Sequence, residues 1–146
     1  MSVFVDTGLF YALQNQRSSR HQESARALAA VFDGTFGHVF TSDYVYDETV
    51  TLVRARTGRF TEAWTVGCRM LGDDGFPSVV EMVYVSETVF EHAIETFERY
   101  RDHSLSFTDA TTIALVDHHD IDAVLSFDDD FDGIVNRLDP ADVDER

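Results

Sequence analysis

Four carboxylates occupy positions from which an α/β chain can do shared chemistry. Asp6 follows the apolar run Ser2-Val3-Phe4-Val5, and Asp128 follows Ala123-Val124-Leu125-Ser126-Phe127, so each stands at the end of a buried strand. Glu48 and Asp109 lie in stretches of helical spacing. Glu48 falls beside Leu52 and three residues from Val45, on the margin of an apolar face, and Asp109 stacks over Ile113 and Val116. Four acids cannot share one pocket without a cation. A ligand set made only of oxygen, with no Cys or His cluster, selects hard ions, Mg²⁺ or Mn²⁺. Such a site supports metal-assisted attack of water on a phosphodiester. Three of the four also have a structural role open to them. Asp6 suits the N-cap of a following helix, Glu48 a partner for Arg56 or a solvated helix edge, and Asp109 a capping box with Ser106.

The elements that must position these acids alternate between strand and helix. After the first strand, residues 9–15 read as a short helix, 16–20 as a polar loop and 21–32 as a second helix, followed by a short strand over 38–41. Ser42 or Asp43 can cap a helix running to Thr57, with Val45, Thr49, Leu52 and Val53 inward and Gly58 as its stop. A helix over 59–71 and a strand over 79–85 come next. Ser86 then caps a helix over 87–101 with Val89, Phe90, Ala93, Ile94 and Phe97 inward. The helix that carries Asp109 is apolar nearly all round and should be buried. Residues 133–138 form a candidate edge strand, and 139–146 read as a solvated acidic tail after a single domain over 1–138. Strands alternating with helices predict a parallel, doubly wound sheet.

Composition narrows the class. A chain of 146 residues suits one domain, and its 44% hydrophobic content with 12 Phe excludes disorder. The formal charge is -16, all 11 basic residues are Arg, and there is no Lys. This balance reads as a salt-adapted, haloarchaeal-like surface, because at roughly 1 M salt the Debye length is only about 3 Å and repulsion from a phosphate backbone is much reduced. The absence of Lys also disfavours a receiver-type phosphoacceptor domain, which needs one near its Asp. Cys68 stands alone, which rules out an intramolecular disulfide and a multi-Cys zinc site. With no apolar stretch of signal or membrane-span length, the expected location is the cytoplasm.

Four segments together carry a family resemblance: Val5-Asp6-Thr7-Gly8-Leu9, Thr41-Ser42-Asp43-Tyr44-Val45-Tyr46-Asp47-Glu48-Thr49, Leu105-Ser106-Phe107-Thr108-Asp109-Ala110 and Leu125-Ser126-Phe127-Asp128-Asp129-Asp130-Phe131. In this order and at this spacing the chain resembles the PIN domain family, and within it the ribonuclease toxins called VapC. The resemblance implies a three-layer α/β/α fold around a central parallel sheet of four to five strands, and an Mg²⁺ or Mn²⁺ site at Asp6, Glu48, Asp109 and Asp128. Asp6, Asp109 and Asp128 would be direct ligands, with Glu48 binding through water or orienting the attacking hydroxide. Asp130 competes with Asp128 for the fourth place, and Thr7 and Ser126 could add supporting hydrogen bonds. The implied activity is endoribonucleolytic, with RNA as substrate, a cognate antitoxin as partner and a homodimer as assembly. A housekeeping RNA-processing nuclease or a degenerate PIN fold used for protein binding are the alternatives. Three Arg groups flank the acidic segments: Arg17 and Arg20, then Arg54, Arg56 and Arg59, then Arg99 and Arg101 with His103. They could hold RNA phosphates or pair with surface acids. His118 and His119, at a helix end, suit dipole or capping roles better than metal ligation.

Overall fold

Val3, Phe4 and Val5 are fully buried, as a strand flanked on both sides and covered on both faces must be. They form β1 (Ser2–Val5) at the centre of the sheet in a computed structural model that describes residues 1–143. The chain continues through α1 (Thr7–Gln14), α2 (His21–Phe32), β2 (His38–Ser42), α3 (Asp43–Thr57), α4 (Phe60–Leu71), β3 (Val80–Val83), α5 (Glu87–Arg99), α6 (Phe107–His118), β4 (Ala123–Leu125) and β5 (Arg137–Leu138). Short 3-10 turns follow β4 (Asp129–Phe131) and β5 (Pro140–Asp142). The five strands are all parallel in the order β3-β2-β1-β4-β5, with helices on both faces, which is the expected three-layer α/β/α arrangement.

This strand order fixes where a site can form. From β1 the sheet grows through β2 and β3 to one side and through β4 and β5 to the other. The crossover connections therefore diverge between β1 and β4, and a crevice opens beyond the carboxyl ends of those two strands. Val5 pairs in register with Leu125, so Asp6 and Ser126 leave the sheet side by side. The Asp6 N–H still donates to the Leu125 carbonyl at 3.1 Å, which carries the pairing one residue past β1.

Local signals account for the helix ends. The Ser42 hydroxyl accepts from Val45 N–H at the start of α3, and Gly58 ends it with φ 70, a left-handed conformation that costs glycine little. Ser86 caps α5 by accepting from Val89 N–H. The helix α6 is buried along Asp109–Leu115, as its apolar sequence requires.

Several expectations need correction, and the strand expected over 79–85 spans only Val80–Val83. The helix α5 stops at Arg99 and not at residue 101, and β5 spans only Arg137–Leu138 of the expected 133–138. The inward stripe predicted for α5 is too wide. Val89 and Ala93 are buried, but Phe90, Ile94 and Phe97 are exposed. Phe90 and Phe97 pack edge-on against the Phe107 ring, at centroid distances of 5.6 and 5.7 Å, forming an aromatic ridge outside the core. Helical periodicity marks apolar positions, and α6, against which α5 packs, covers only part of the stripe. Of the expected tail, Pro140 is buried and residues 144–146 lie outside the described residues. Among the described residues no helix is long and apolar enough to cross a membrane.

Candidate active site

The crevice beyond β1 and β4 is a cleft of about 620 Å³ into which Asp6, Glu48, Asp109 and Asp128 all open. Each arrives from a different element. Asp6 follows β1, Asp128 lies three residues beyond β4, Glu48 sits in the second turn of α3, and Asp109 is the third residue of α6. Asp129 also lines the cleft, a residue that sequence reading left out. Asp130 stands on the adjoining 3-10 turn, and one ligand oxygen from each of Asp128, Asp129 and Asp130 lies within 4.8 Å of the others.

A cap alone does not describe Asp6. It occupies the N-cap position of α1, yet its side chain makes no capping hydrogen bond. Its Oδ2 instead accepts from the Ser126 hydroxyl at 2.7 Å. That hydroxyl in turn accepts from Asp128 N–H at 3.0 Å, and Asp128 Oδ1 accepts from Asp130 N–H at 2.9 Å. A single serine thus ties the two strand-end acids together.

Asp109 does close the capping box. Its Oδ2 accepts from Ser106 N–H at 2.9 Å, and its own N–H donates to Ser106 Oγ at 3.0 Å. The backbone hydrogen bond of the box uses one carboxylate oxygen, Oδ2. Capping and a second role are therefore compatible at this position. Glu48 is half-buried and forms no ion pair with Arg56, whose side chain lines a different cavity.

Electrostatics in the cleft call for a cation. Burial pushes the Asp6 carboxyl up to about 6. The Ser126 hydroxyl and the Thr7 amide partly offset this, while the Glu48 and Asp128 charges add to it. Asp109 is pushed up to about 7, chiefly by burial and then by the Asp6 charge. Carboxylates that repel one another in a low-dielectric cleft must take up protons or share a positive ion. The donor set is all oxygen, which fits a hard divalent cation. Thr7 Oγ1 lies beside these acids, buried and with no hydrogen-bond partner among the described residues. A buried hydroxyl without a partner costs about 1–3 kcal/mol, a cost that Ser24 Oγ and Thr49 Oγ1 also carry outside the cleft lining.

The arginines separate from one another. Arg20 lines the acid cleft with its guanidinium 4.6 Å from the centre of the Phe127 ring. Arg54 lies over Phe60 at 5.5 Å. Arg17, Arg56 and Arg59 gather with Arg69 at a second cavity. Of the third group, Arg101 donates to the Glu98 carbonyl at 3.2 Å, Arg99 lines a groove with Asp117 and Asp120, and the His103 ring packs edge-on against Tyr100. His118 and His119 end α6 with their rings against each other, away from the acids.

Comparison with known proteins identifies the family and the fold. The PIN domain family profile matches residues 3–136. The 23S rRNA-specific endonuclease VapC20 of Mycobacterium tuberculosis is 31% identical over 129 residues, covering 88% of this chain and 91% of that protein. Its crystal structure, described as a Sarcin-Ricin loop cleaving toxin, superposes with a TM-score of 0.76 over 88% of this chain and 92% of the other. A VapC ribonuclease of Archaeoglobus fulgidus is 25% identical over 114 residues, 75% of this chain and 67% of the relative. A toxin-antitoxin complex from Klebsiella pneumoniae shares the fold at TM-score 0.64 and 17% identity, over 94% of this chain and 97% of the other.

Proposed function

Because the chain belongs to the PIN domain family, we propose that it is a divalent-metal-dependent endoribonuclease and the toxin of a toxin-antitoxin pair. The observation that carries this reading is the convergence of Asp6, Glu48, Asp109 and Asp128 from four elements on one cleft. The VapC20 relative, aligned along nearly its whole length, supports RNA as the substrate and ribosomal RNA as the first one to try. An antitoxin protein that blocks the cleft is the partner that the toxin reading requires.

Asp6, Asp109 and Asp128 would hold Mg²⁺ or Mn²⁺, with Asp129 and Asp130 beside them. The ion supplies positive charge to the phosphate oxygens and lowers the pKa of the attacking water. Glu48, which lines the cleft, would orient the attacking water and accept its proton. The Thr7 hydroxyl, buried next to Asp6, would support the acids that hold the ion. Ser126 keeps Asp6 and Asp128 in fixed orientation, and Arg20 offers a guanidinium at the rim.

The test is to incubate purified protein with total and ribosomal RNA, in dilute buffer and in molar KCl, with Mg²⁺, Mn²⁺ or chelator, and to map new RNA ends. Discrete cleavage sites that need the metal are expected. No new ends in any of these conditions would contradict the nuclease reading.

A further inference from the structure

The second cavity, of about 510 Å³, has the opposite character to the acid cleft. Arg17 comes from the turn after α1, Arg56 from the last turn of α3, Arg59 from the start of α4 and Arg69 from the last turn of α4. Four of the chain's 11 basic residues thus face one cavity on a protein of charge -16. Glu62 is the one carboxylate lining it, and it is already engaged, by Gln14 Nε2 at 2.6 Å and by Arg59 at 3.9 Å.

If these arginines served only to pair with surface acids, 27 Asp and Glu would supply ample partners. Yet among the described residues only Arg59 and Arg137 form ion pairs, and Arg17 and Arg56 form none. Arg69 is half-buried and held in place. Its Nη1 donates to Gln14 Oε1 at 2.8 Å, and its guanidinium stacks 4.9 Å from the Phe76 ring centre. An oriented, partly desolvated guanidinium beside two unpaired ones is a site for an oxyanion.

The chain itself links this cavity to the acid cleft. Arg17 lines the cavity and Arg20 lines the cleft, from the same turn between α1 and α2. Three residues of chain span at most about 11 Å, so one polyanion can occupy both. We propose that the arginine cavity holds a backbone phosphate of the RNA strand whose scissile bond lies in the acid cleft. This rests on the nuclease reading above and extends it to how the strand is held. A free anion would satisfy the cavity alone, whereas a strand links it to the cleft.

The test measures binding of a fluorescent single-stranded RNA by anisotropy across a salt series, using the Asp109→Asn chain as a non-cleaving background. Adding Arg17→Gln and Arg56→Gln should weaken binding about tenfold or more. It should also lower the slope of log affinity against log salt by about 0.7 per lost contact. Arg99→Gln, which removes one charge at a different groove, serves as the control for a single lost arginine and should leave the slope unchanged. Both cavity arginines are exposed, so melting temperatures should match the background. Equal affinity and slope in the double variant overturn the cavity assignment, as does an equal loss in Arg99→Gln. Cleavage of the same RNA by the unmodified chain then shows that the nuclease reading stands; neither cleavage nor binding by that chain removes both.

Discussion

The Ser126 hydroxyl donates to Asp6 Oδ2 at 2.7 Å across 120 residues of sequence. The bond exists because β1 and β4 lie side by side in parallel register, which brings the residues just past their ends together. The same hydroxyl receives Asp128 N–H, so two acids that the sequence holds far apart share one hinge. Hydrogen bonds to a charged carboxylate contribute about 1.5–3 kcal/mol, and supporting contacts of this kind orient metal ligands.

Ser126→Ala should therefore impair the site more than the fold. Cleavage should fall by roughly 10–100-fold, with a higher metal concentration needed for half-maximal rate. Metal titration of the cleavage rate checks this, with circular dichroism to confirm the fold.

Thr7→Val separates function from stability. The hydroxyl is buried and unpartnered, so replacing it by a methyl should leave the melting temperature unchanged or raise it. If the hydroxyl supports the acids that hold the ion, the cleavage rate should drop about tenfold or more. A variant as active as the parent would leave Thr7 without a catalytic part.

Protonation gives a pH signature in metal-free protein. Asp6 and Asp109 shift from 3.8 to about 6 and about 7 in the folded chain, so the native state binds more protons than the unfolded state between these values. Their contribution to stability is fully present below about pH 3.8 and is lost as pH rises through about 6 to 7. With chelator present, Asp109→Asn should melt higher than the parent at pH 7.5, and the gap should close towards pH 4. Mg²⁺ or Mn²⁺ should stabilise the parent at neutral pH and the variant less.

Gly67→Ala tests the packing of α3 on α4. A Cβ at residue 67 would stand 2.8 Å from the Tyr46 hydroxyl and 3.2 Å from its ring. Overpacking costs about 1–3 kcal/mol, set against about 1 kcal/mol of helix propensity gained. The net expectation is a lower melting temperature, part of which Tyr46→Phe restores when the two are combined.

What the sequence made legible follows from local physics. Apolar runs closed by Asp announced the end of β1 at Asp6 and a strand shortly before Asp128, though β4 stops at Leu125, and Ser106 with Asp109 announced a helix start, because capping and strand burial are decided within a few residues. Contacts between distant segments were not legible. Nothing near Arg69 signals that it meets Arg17 and Arg56, since the meeting depends on how α1, α3 and α4 pack. Asp129 was hidden inside a run of three Asp, where only the geometry of the turn decides which side chain faces the cleft. The orphaned Thr7 hydroxyl could not be read at all, because a missing partner is a property of three-dimensional neighbours. Phe90, Ile94 and Phe97 misled for a different reason: helical periodicity reports apolarity and not which neighbour covers it.

The central claim is that the four-acid cleft hydrolyses RNA with a divalent cation. Its most direct test compares Asp6→Asn and Asp109→Asn with the parent on one RNA, on denaturing gels with Mg²⁺ or Mn²⁺. Asn can still accept the hydrogen bonds from Ser126 and Ser106, so both variants should fold. Cleavage by the parent should require the metal and should fall at least about a thousandfold in each variant. Undiminished cleavage by both variants, or cleavage by the parent that persists in chelator, would contradict the claim.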